Sequence, residues 1–336
     1  MNEITLYFKS FAGAKNELPR SDTIFGAICW GLWFIYGEDI LLQFLSSYLE
    51  GSPPLIISST FPFINLNGNQ IIHLFPKPKL VVMDPQKTES LYKKSKDFNK
   101  AQYVDHMLFQ EIIDNRLTDE TLFRKLINNE LIQSKDLKIL SRTSIDHFPV
   151  KFIDIPKNAV DRINGGTIEG KLYHVKEGKV DGKNGVFMLC KVVDEWINKI
   201  LTIFQFYSDK GLGGDSSVGK GCYVLDVKRG FPIKEASEGK RWVSLSLFYP
   251  GNEEWYYFKN NIDEAWYSIT KRKGKIESSF YTEKDVWEKS LLMFEEGSVF
   301  PIIIGKKFYG KLIEVKELEN GKSIFRYGIA FPIRMR

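Results

Sequence analysis

The sequence predicts an α+β fold built from two small units. Two observations lead there. Across Met1 to Lys228, apolar alternation and amphipathic stretches follow one another as strand, helix, strand, insertion, strand, helix, glycine-rich loop, strand. Without the insertion this is the β-α-β-β-α-β order of ferredoxin-like (RRM-like) domains. Beyond it, from Trp242, strand-like runs return with little helical signal, so residues 229–336 are expected to form a second, degenerate ferredoxin-like unit. A hydrophobic fraction of 43% over 336 residues excludes a disordered chain and allows this many cores.

Each element has a local reason. Ile4, Leu6 and Phe8 alternate with Thr5, Tyr7 and Lys9, a strand pattern. Arg20-Ser21-Asp22-Thr23 opens a helix, with Ser21 and Asp22 able to accept from free first-turn N–H groups. Apolar residues from Ile24 to Ile35 surround that helix, which is expected to be buried on several sides. A second helix is expected over Asp39 to Leu49, and Leu55 to Phe63 reads as a strand after Pro53-Pro54. Phe75-Pro76-Lys77-Pro78 is extended, because a residue before proline is pushed out of the helical region. From about 88 to 140 the pattern turns helical and polar, an inserted subdomain striped by Leu108, Ile112, Ile113, Leu122, Leu126 and Ile127.

Residues 168–175 and 186–190 suggest two strands, with Glu177-Gly178 and Asp181-Gly182 as turn signals between them. The clearest helix is Val192 to Tyr207, with Val193, Trp196, Ile197, Ile200, Phe204 and Tyr207 on one face. It leads into the glycine-rich segment 211–221, and Cys222 to Val227 follows as a strand. In the second unit Val243, Leu245 and Leu247 alternate. Trp266 to Ile276, Phe300 to Val315 and Ser323 to Ile333 add strands, and Lys284 to Glu296 is the main helix candidate.

The net charge of +5 permits an anionic partner without demanding one. Basic residues cluster at Lys271-Arg272-Lys273, Lys306-Lys307 and Arg334 with Arg336. Cys29, Cys190 and Cys222 stand far apart in apolar surroundings and form no CxxC pair, which argues against a disulfide framework or a zinc site. No apolar run reaches 18 residues, and Met1 to Phe8 lacks the basic-then-apolar order of a signal peptide, so a cytoplasmic protein is expected.

The chemistry-bearing feature is Gly211-Leu212-Gly213-Gly214-Asp215-Ser216-Ser217-Val218-Gly219-Lys220-Gly221. Glycines let the backbone approach a phosphate and take φ > 0 without strain. Successive N–H groups in such a loop form an anion-binding concavity, to which Ser216, Ser217 and Lys220 add donors. Gly214-x-x-x-x-Gly219-Lys220 falls short of a nucleotide-binding P-loop. Gly221 replaces the magnesium-binding Ser or Thr, and the loop follows a helix and precedes a strand rather than the reverse. A dinucleotide GxGxxG also fails, at Ser216. A flexible linker would share the composition but seldom stands between so amphipathic a helix and a strand.

The glycine loop after a helix and before a strand resembles the mark of the RAMP superfamily of CRISPR proteins. Three further segments resemble one branch, subunit four of the type III-A Csm complex. They are Leu18 to Ala27, Phe75 to Pro78, and Lys157 to Tyr173, the last departing from the branch at Asn164, where Thr is expected before Gly165. The resemblance spans most of Met1 to Val227 and returns at Ser323 to Arg336. It implies a binding subunit for the guide RNA (crRNA) that holds the 5′ handle and, through the guide, meets target RNA. It also implies docking on the large polymerase-like subunit and the first backbone subunit, and a thumb hairpin at about 150–175. The RNA-binding residues expected are Arg20, Ser21, Lys157, Arg162, Gly165, Lys210, Gly211, Gly213, Gly214, Ser216, Ser217, Gly219, Lys220 and Gly221. For Arg162 a salt bridge to Asp161 or Glu169 is the alternative, and for Arg20 solvation at the helix start. Asp22 fits a cap better than an RNA ligand.

Catalysis is not expected, nor any metal or cofactor. RAMP endonucleases that cut precursor guide RNA need a general acid or base near the first helix, most often His. The histidines here are His73, His106, His147 and His174, of which His147 is read as the one near the thumb. No HExxH or carboxylate triad occurs. A metal-independent ribonuclease processing repeat RNA, and the equivalent subunit of a type III-B complex, are the alternatives.

Overall fold

A computed structural model describes residues 1–15, 17–66, 70–80, 89–114, 118–180, 184–213, 216, 219–276 and 286–336. In order, the elements of the first part are β1 (Asn2–Lys9), β2 (Ala12–Lys15), α1 (Ser21–Tyr36), α2 (Glu38–Leu49), β3 (Leu55–Ile57), β4 (Phe61–Leu66) and β5 (Gln70–Pro76). There follow α3 (Glu89–Phe98), β6 (Tyr103–Asp105), α4 (His106–Ile113), α5 (Asp119–Ile127), β7 (Ile132–Gln133) and β8 (Ile139–Ser141). Then come β9 (Val150–Val160), β10 (Thr167–Val180), β11 (Gly185–Val192), α6 (Asp194–Lys210) and β12 (Val224–Arg229). The remainder holds β13 (Arg241–Ser244), α7 (Asn252–Asn260), β14 (Ile269–Arg272), β15 (Leu291–Phe294), β16 (Val299–Pro301), β17 (Leu312–Glu317), β18 (Ser323–Tyr327) and β19 (Pro332–Met335).

The main sheet runs β12-β1-β11-β4-β5-β6-β8-β7, with β3 also pairing β11. Its first part is the ferredoxin-like order, all antiparallel: β1 lies between β11 and β12, and β11 lies between β1 and β3/β4. The α+β class with ferredoxin-like units is therefore as expected. Alternation along β1 sends Ile4, Leu6 and Phe8 to one face, where Phe8 meets Phe204 of α6. Tyr7 goes to the other face, beside Phe63, Phe187 and His73. The insertion covers that second face, with Phe109 of α4 stacked on Phe75 at 4.7 Å. Helices α1 and α6 cover the first face. They approach so closely that a Cβ on Gly31 would lie 2.5 Å from Ile203.

Helix α1 departs from expectation. Its buried residues, Ile24, Phe25, Ile28, Gly31 and Leu32, form one stripe, and Trp33 and Phe34 face outward at 37% and 41% exposure. Strand β10 also differs. Glu177 and Gly178 are not a turn but strand positions, paired with Ile153 and Phe152 on one side and with Lys15 and Ala14 on the other. The turn signal at Asp181-Gly182 lies outside the described residues.

In the second part the expected helix at Lys284 to Glu296 is absent among the described residues. Leu291–Phe294 is β15, paired with β14, and Phe294 packs on Phe248, Phe300 and Tyr267. The helix present is α7, capped by Glu254, which accepts from the Gly251 N–H at 2.6 Å. Strands β13, β16 and β19 make a small sheet, and β17 pairs β18. The second part has a buried cluster of its own around Trp242, Phe248 and Phe300, and it also shares the core of the first. Val243, Leu245, Tyr327, Phe331 and Ile333 belong to the same buried cluster as Phe25, Ile57 and Leu189.

Candidate nucleic-acid interface

Domains of the RRM type read RNA with aromatics on the open sheet face. Here that face is closed: Tyr7, His73 and Phe187 are buried beneath the insertion. An RNA strand is left with loops and edges.

The glycine loop leaves α6 at Lys210, whose ammonium lies 4.4 Å from the Phe34 ring centroid and 5.2 Å from that of Phe206. The loop's glycines divide into two kinds. Gly211 and Gly221 form a buried neck. Both have φ > 0, at 91° and 81°, and Leu212 N–H donates to the Gly221 carbonyl at 2.9 Å. A Cβ at Gly211 would lie 2.0 Å from the Lys220 carbonyl oxygen, and one at Gly221 would lie 2.2 Å from that of Leu212. Only glycine fits either place. Gly213 and Gly219, by contrast, are exposed at φ 113° and 77°, with open space where a side chain would stand.

The expectation of a loop of bared amides is thereby narrowed. Gly211 N–H donates to Tyr207 O, Leu212 N–H to Gly221 O, and Gly219 N–H to Ser216 O, so these three point inward. Gly214 and Ser217 lie outside the described residues. Of the expected loop contacts, Gly213 and Gly219 lie at the surface, while Ser216 and Lys220 are half-buried.

Lys220 is held by Glu177 of β10, and the same carboxylate stands 3.7 Å from Lys157 of β9. Two ammonium groups thus share one mostly buried carboxylate, which ties the loop's exit to the base of the β9–β10 hairpin. Glu177 is a residue the sequence reading missed, having taken it for a turn. The hairpin stands where the thumb is expected. Its tip, residues 161–166, closes through Asp161, whose N–H donates to Gly166 O and whose carbonyl accepts from Gly165 N–H, both at 2.9 Å. Gly165 sits there at φ 65° and Ile163 is 92% exposed. Arg162 is exposed at the tip, where neither Asp161 nor Glu169 forms an ion pair with it among the described residues. His174 lies on β10 within the thumb, so His147 is not the one histidine near it.

Arg20 and Ser21 are elsewhere. Ser21 is fully buried: its N–H donates to Ser59 Oγ at 2.9 Å and its Oγ accepts from Leu247 N–H at 3.1 Å. Arg20 donates to Glu296 at 2.6 Å and Glu295 at 3.3 Å. Asp22 accepts from the Thr23 N–H in the first turn at 2.8 Å, and also from Arg272 at 2.9 Å and from Arg326 at 2.7 Å. The segment around Pro19 is a joint between the two parts of the chain, in which Ser21 is buried and Arg20 is paired with acidic side chains of the second part. Their partners lie more than two hundred residues away in sequence for Leu247, Arg272 and Glu296, which is why no local pattern revealed them.

The histidines on the closed face are held neutral. Burial, with His106 and Lys228 nearby, pushes the His73 pKa down to about 3, and burial likewise lowers that of His106. Tyr7 Oη lies 2.8 Å from His73 Nε2, and burial raises that hydroxyl to about 12. Among the described residues no group of three or more His, Cys, Asp or Glu is placed to hold a metal ion, and no helix is long and apolar enough to cross a membrane.

A ferredoxin-like sheet sends its last helix through a glycine neck to an edge strand, beside a rooted hairpin, the arrangement that the resemblance to the RAMP superfamily implies. The model for the CRISPR Csm4 C-terminal domain matches residues 237–335. Two curated relatives, both described as CRISPR system Cms protein Csm4, are similar. The protein from Thermococcus onnurineus is 26% identical over 64% of this chain, and that from Methanocaldococcus jannaschii is 24% identical over 65%. The chain spans 64% and 62% of the lengths of these relatives. Among solved structures, a chain from the Csm3–Csm4 subcomplex of the type III-A CRISPR-Cas interference complex superposes with a TM-score of 0.65 at 17% identity, over the whole of both chains. One from a Csm1–Csm4 cassette in complex with cA4 gives 0.61 at 18% identity, over 99% of this chain and 98% of that one. The resemblance carried by the sequence segments is borne out as a similarity to Csm4 proteins, which the family model places in residues 237–335.

Proposed function

We propose that this chain is a cytoplasmic, non-catalytic subunit of a type III-A CRISPR effector that grips the 5′ handle of the guide RNA. It would bridge the large polymerase-like subunit and the backbone filament, with the thumb reaching the guide–target duplex. The observation that carries the RNA role is the glycine neck. Gly211 and Gly221 spend their conformational freedom on closing the loop, which presents Gly213 and Gly219 outward beside Lys220 and Lys157. Phosphate contacts of this sort position a strand without reading its sequence. The bridging role is supported by the Csm1 and Csm3 partners named for the similar chains. The non-catalytic reading is supported by the burial of His73, which removes a general acid or base from the strand's reach.

The test is binding of labelled RNA carrying the repeat-derived handle, followed by fluorescence anisotropy with and without EDTA. Tight, salt-sensitive binding without cleavage is expected, weakened by Gly213→Val in a protein that still folds. Site-specific cleavage would overturn the non-catalytic reading, and equal affinity of Gly213→Val would remove the loop from the interface. Co-expression with neighbouring genes is expected to recover the large and backbone subunits together with guide RNA.

A further inference from the structure

The basic run Lys271-Arg272-Lys273 has no part in the loop or thumb. From Ile269 to Ile276 the chain alternates strictly between exposed and inward positions. Arg272 turns inward to Asp22 and Glu17. Gly274 turns inward too: a Cβ there would lie 2.7 Å from Arg326 Nη2 and 3.0 Å from the Glu288 carboxylate. The back of this ribbon therefore rests on the joint between the two parts. Its front presents Ile269, Lys271, Lys273 and Lys275. Among the described residues no carboxylate pairs with any of these three lysines. Opposite them, Leu292 pairs with Lys271, and Trp287, 47% exposed, forms an antiparallel bridge with Lys275. The ammonium groups of Lys273 and Lys275 stand 4.7 Å and 4.5 Å from the Trp287 ring centroid.

The back of the ribbon is linked to the base of the glycine loop. Lys220 pairs with Glu177, Glu177 lies opposite Lys15 of β2, and two residues beyond Lys15 the Glu17 carboxylate pairs with Arg272 of β14. Alternate residues of a strand are about 7 Å apart, a repeat on the scale of successive phosphates in an extended strand. An exposed Trp among lysines that no described carboxylate neutralises suits a nucleobase, since every base offers a face for stacking. Lysine-rich surfaces make poor cores for protein interfaces.

We propose that the β14 ribbon is a second contact for single-stranded RNA, with Lys271, Lys273 and Lys275 taking phosphates and Trp287 stacking on a base. This rests on the reading of the glycine loop as an RNA site, and it extends the bound strand onto the C-terminal part of the chain.

The test uses the full chain and a labelled single-stranded RNA, with affinity measured across a salt series. The triple variant Lys271→Gln, Lys273→Gln, Lys275→Gln is expected to lower the slope of log affinity against log salt by about 2, from about 0.7 for each phosphate lost. Trp287→Ala is expected to weaken binding about tenfold, Trp287→Phe to stay near wild type, and an abasic RNA to lose sensitivity to Trp287→Ala. Variants that melt like wild type and keep its slope and affinity would overturn the ribbon proposal while leaving the loop reading intact. So would variants that keep RNA affinity but no longer retain an acidic partner subunit on co-purification. A wild-type chain that binds no RNA at all, even at low salt, would overturn both.

Discussion

Gly211 and Gly213 are two residues apart and do opposite things. Gly211 closes the neck against the Lys220 carbonyl, whereas Gly213 faces open solvent. Valine at 211 adds a backbone clash to the strain of a left-handed conformation, so a loss above about 2 kcal/mol is expected in thermal unfolding. Valine at 213 meets strain alone, about 1–2 kcal/mol, and its larger effect is expected on RNA affinity. The sequence pointed to the loop but not to this division, because glycine spacing does not say which amides turn inward. His73 sets a pH dependence. Its folded pKa of about 3 lies below the unfolded value near 6.5, so the unfolded chain binds more protons between them. Its contribution is complete above about pH 6.5 and is lost as pH falls toward 3, at about 1.4 kcal/mol per unit. His73→Phe is expected to flatten the fall in denaturant midpoint between pH 6.5 and 5, and an unchanged fall would show that other groups dominate.

Among the elements, legibility followed how locally each one packs. Helix α6 was plain, since the face read from its period, including Trp196, Ile200, Phe204 and Tyr207, is buried against its own unit. The segment 284–296 misled because Glu, Lys, Leu and Met favour helix, a preference that tertiary pairing overrides. Leu291–Phe294 gains a ladder with β14 and lodges Phe294 in an aromatic cluster instead. Helix α7 was hidden by aromatics that read equally well as strand. The outer part of the β9–β10 hairpin packs on nothing else among the described residues: Val160, Ile163 and Leu172 are exposed. Ile163→Asp is accordingly expected to leave the melting temperature within a degree of wild type. In the assembled effector the same change is expected to weaken retention of target RNA, as measured by filter binding, and an early melt would show that the tip is structural.

At the scale of the molecule, the joint around Asp22 governs stability. Asp22 and Arg326 are almost wholly buried and Arg272 largely so, and all three are charged. Removing one member leaves buried charge uncompensated, so Asp22→Ala is expected to cost about 3–5 kcal/mol. Because the apolar cluster spans both parts, residues 1–228 expressed alone are expected to lack a cooperative unfolding transition. A sharp transition from that fragment would show that the parts are independent. One ferredoxin-like order could be read along Met1 to Lys228 and a degenerate unit after it, but their fusion could not, since Ser21 and Leu247 carry no mark of one another.

The central place of β1 bears on how the protein is made. This strand is synthesised well before both of its neighbours, β11 and β12, which come from beyond Val180. At about 5–20 residues per second, β1 waits on the order of 10–35 s for a partner. During that interval an apolar segment with two open edges travels with the nascent chain, a state that invites chaperone capture or wrong pairing. Yield in a foreign host would then be set by translation speed and chaperone supply as much as by the stability of the finished fold.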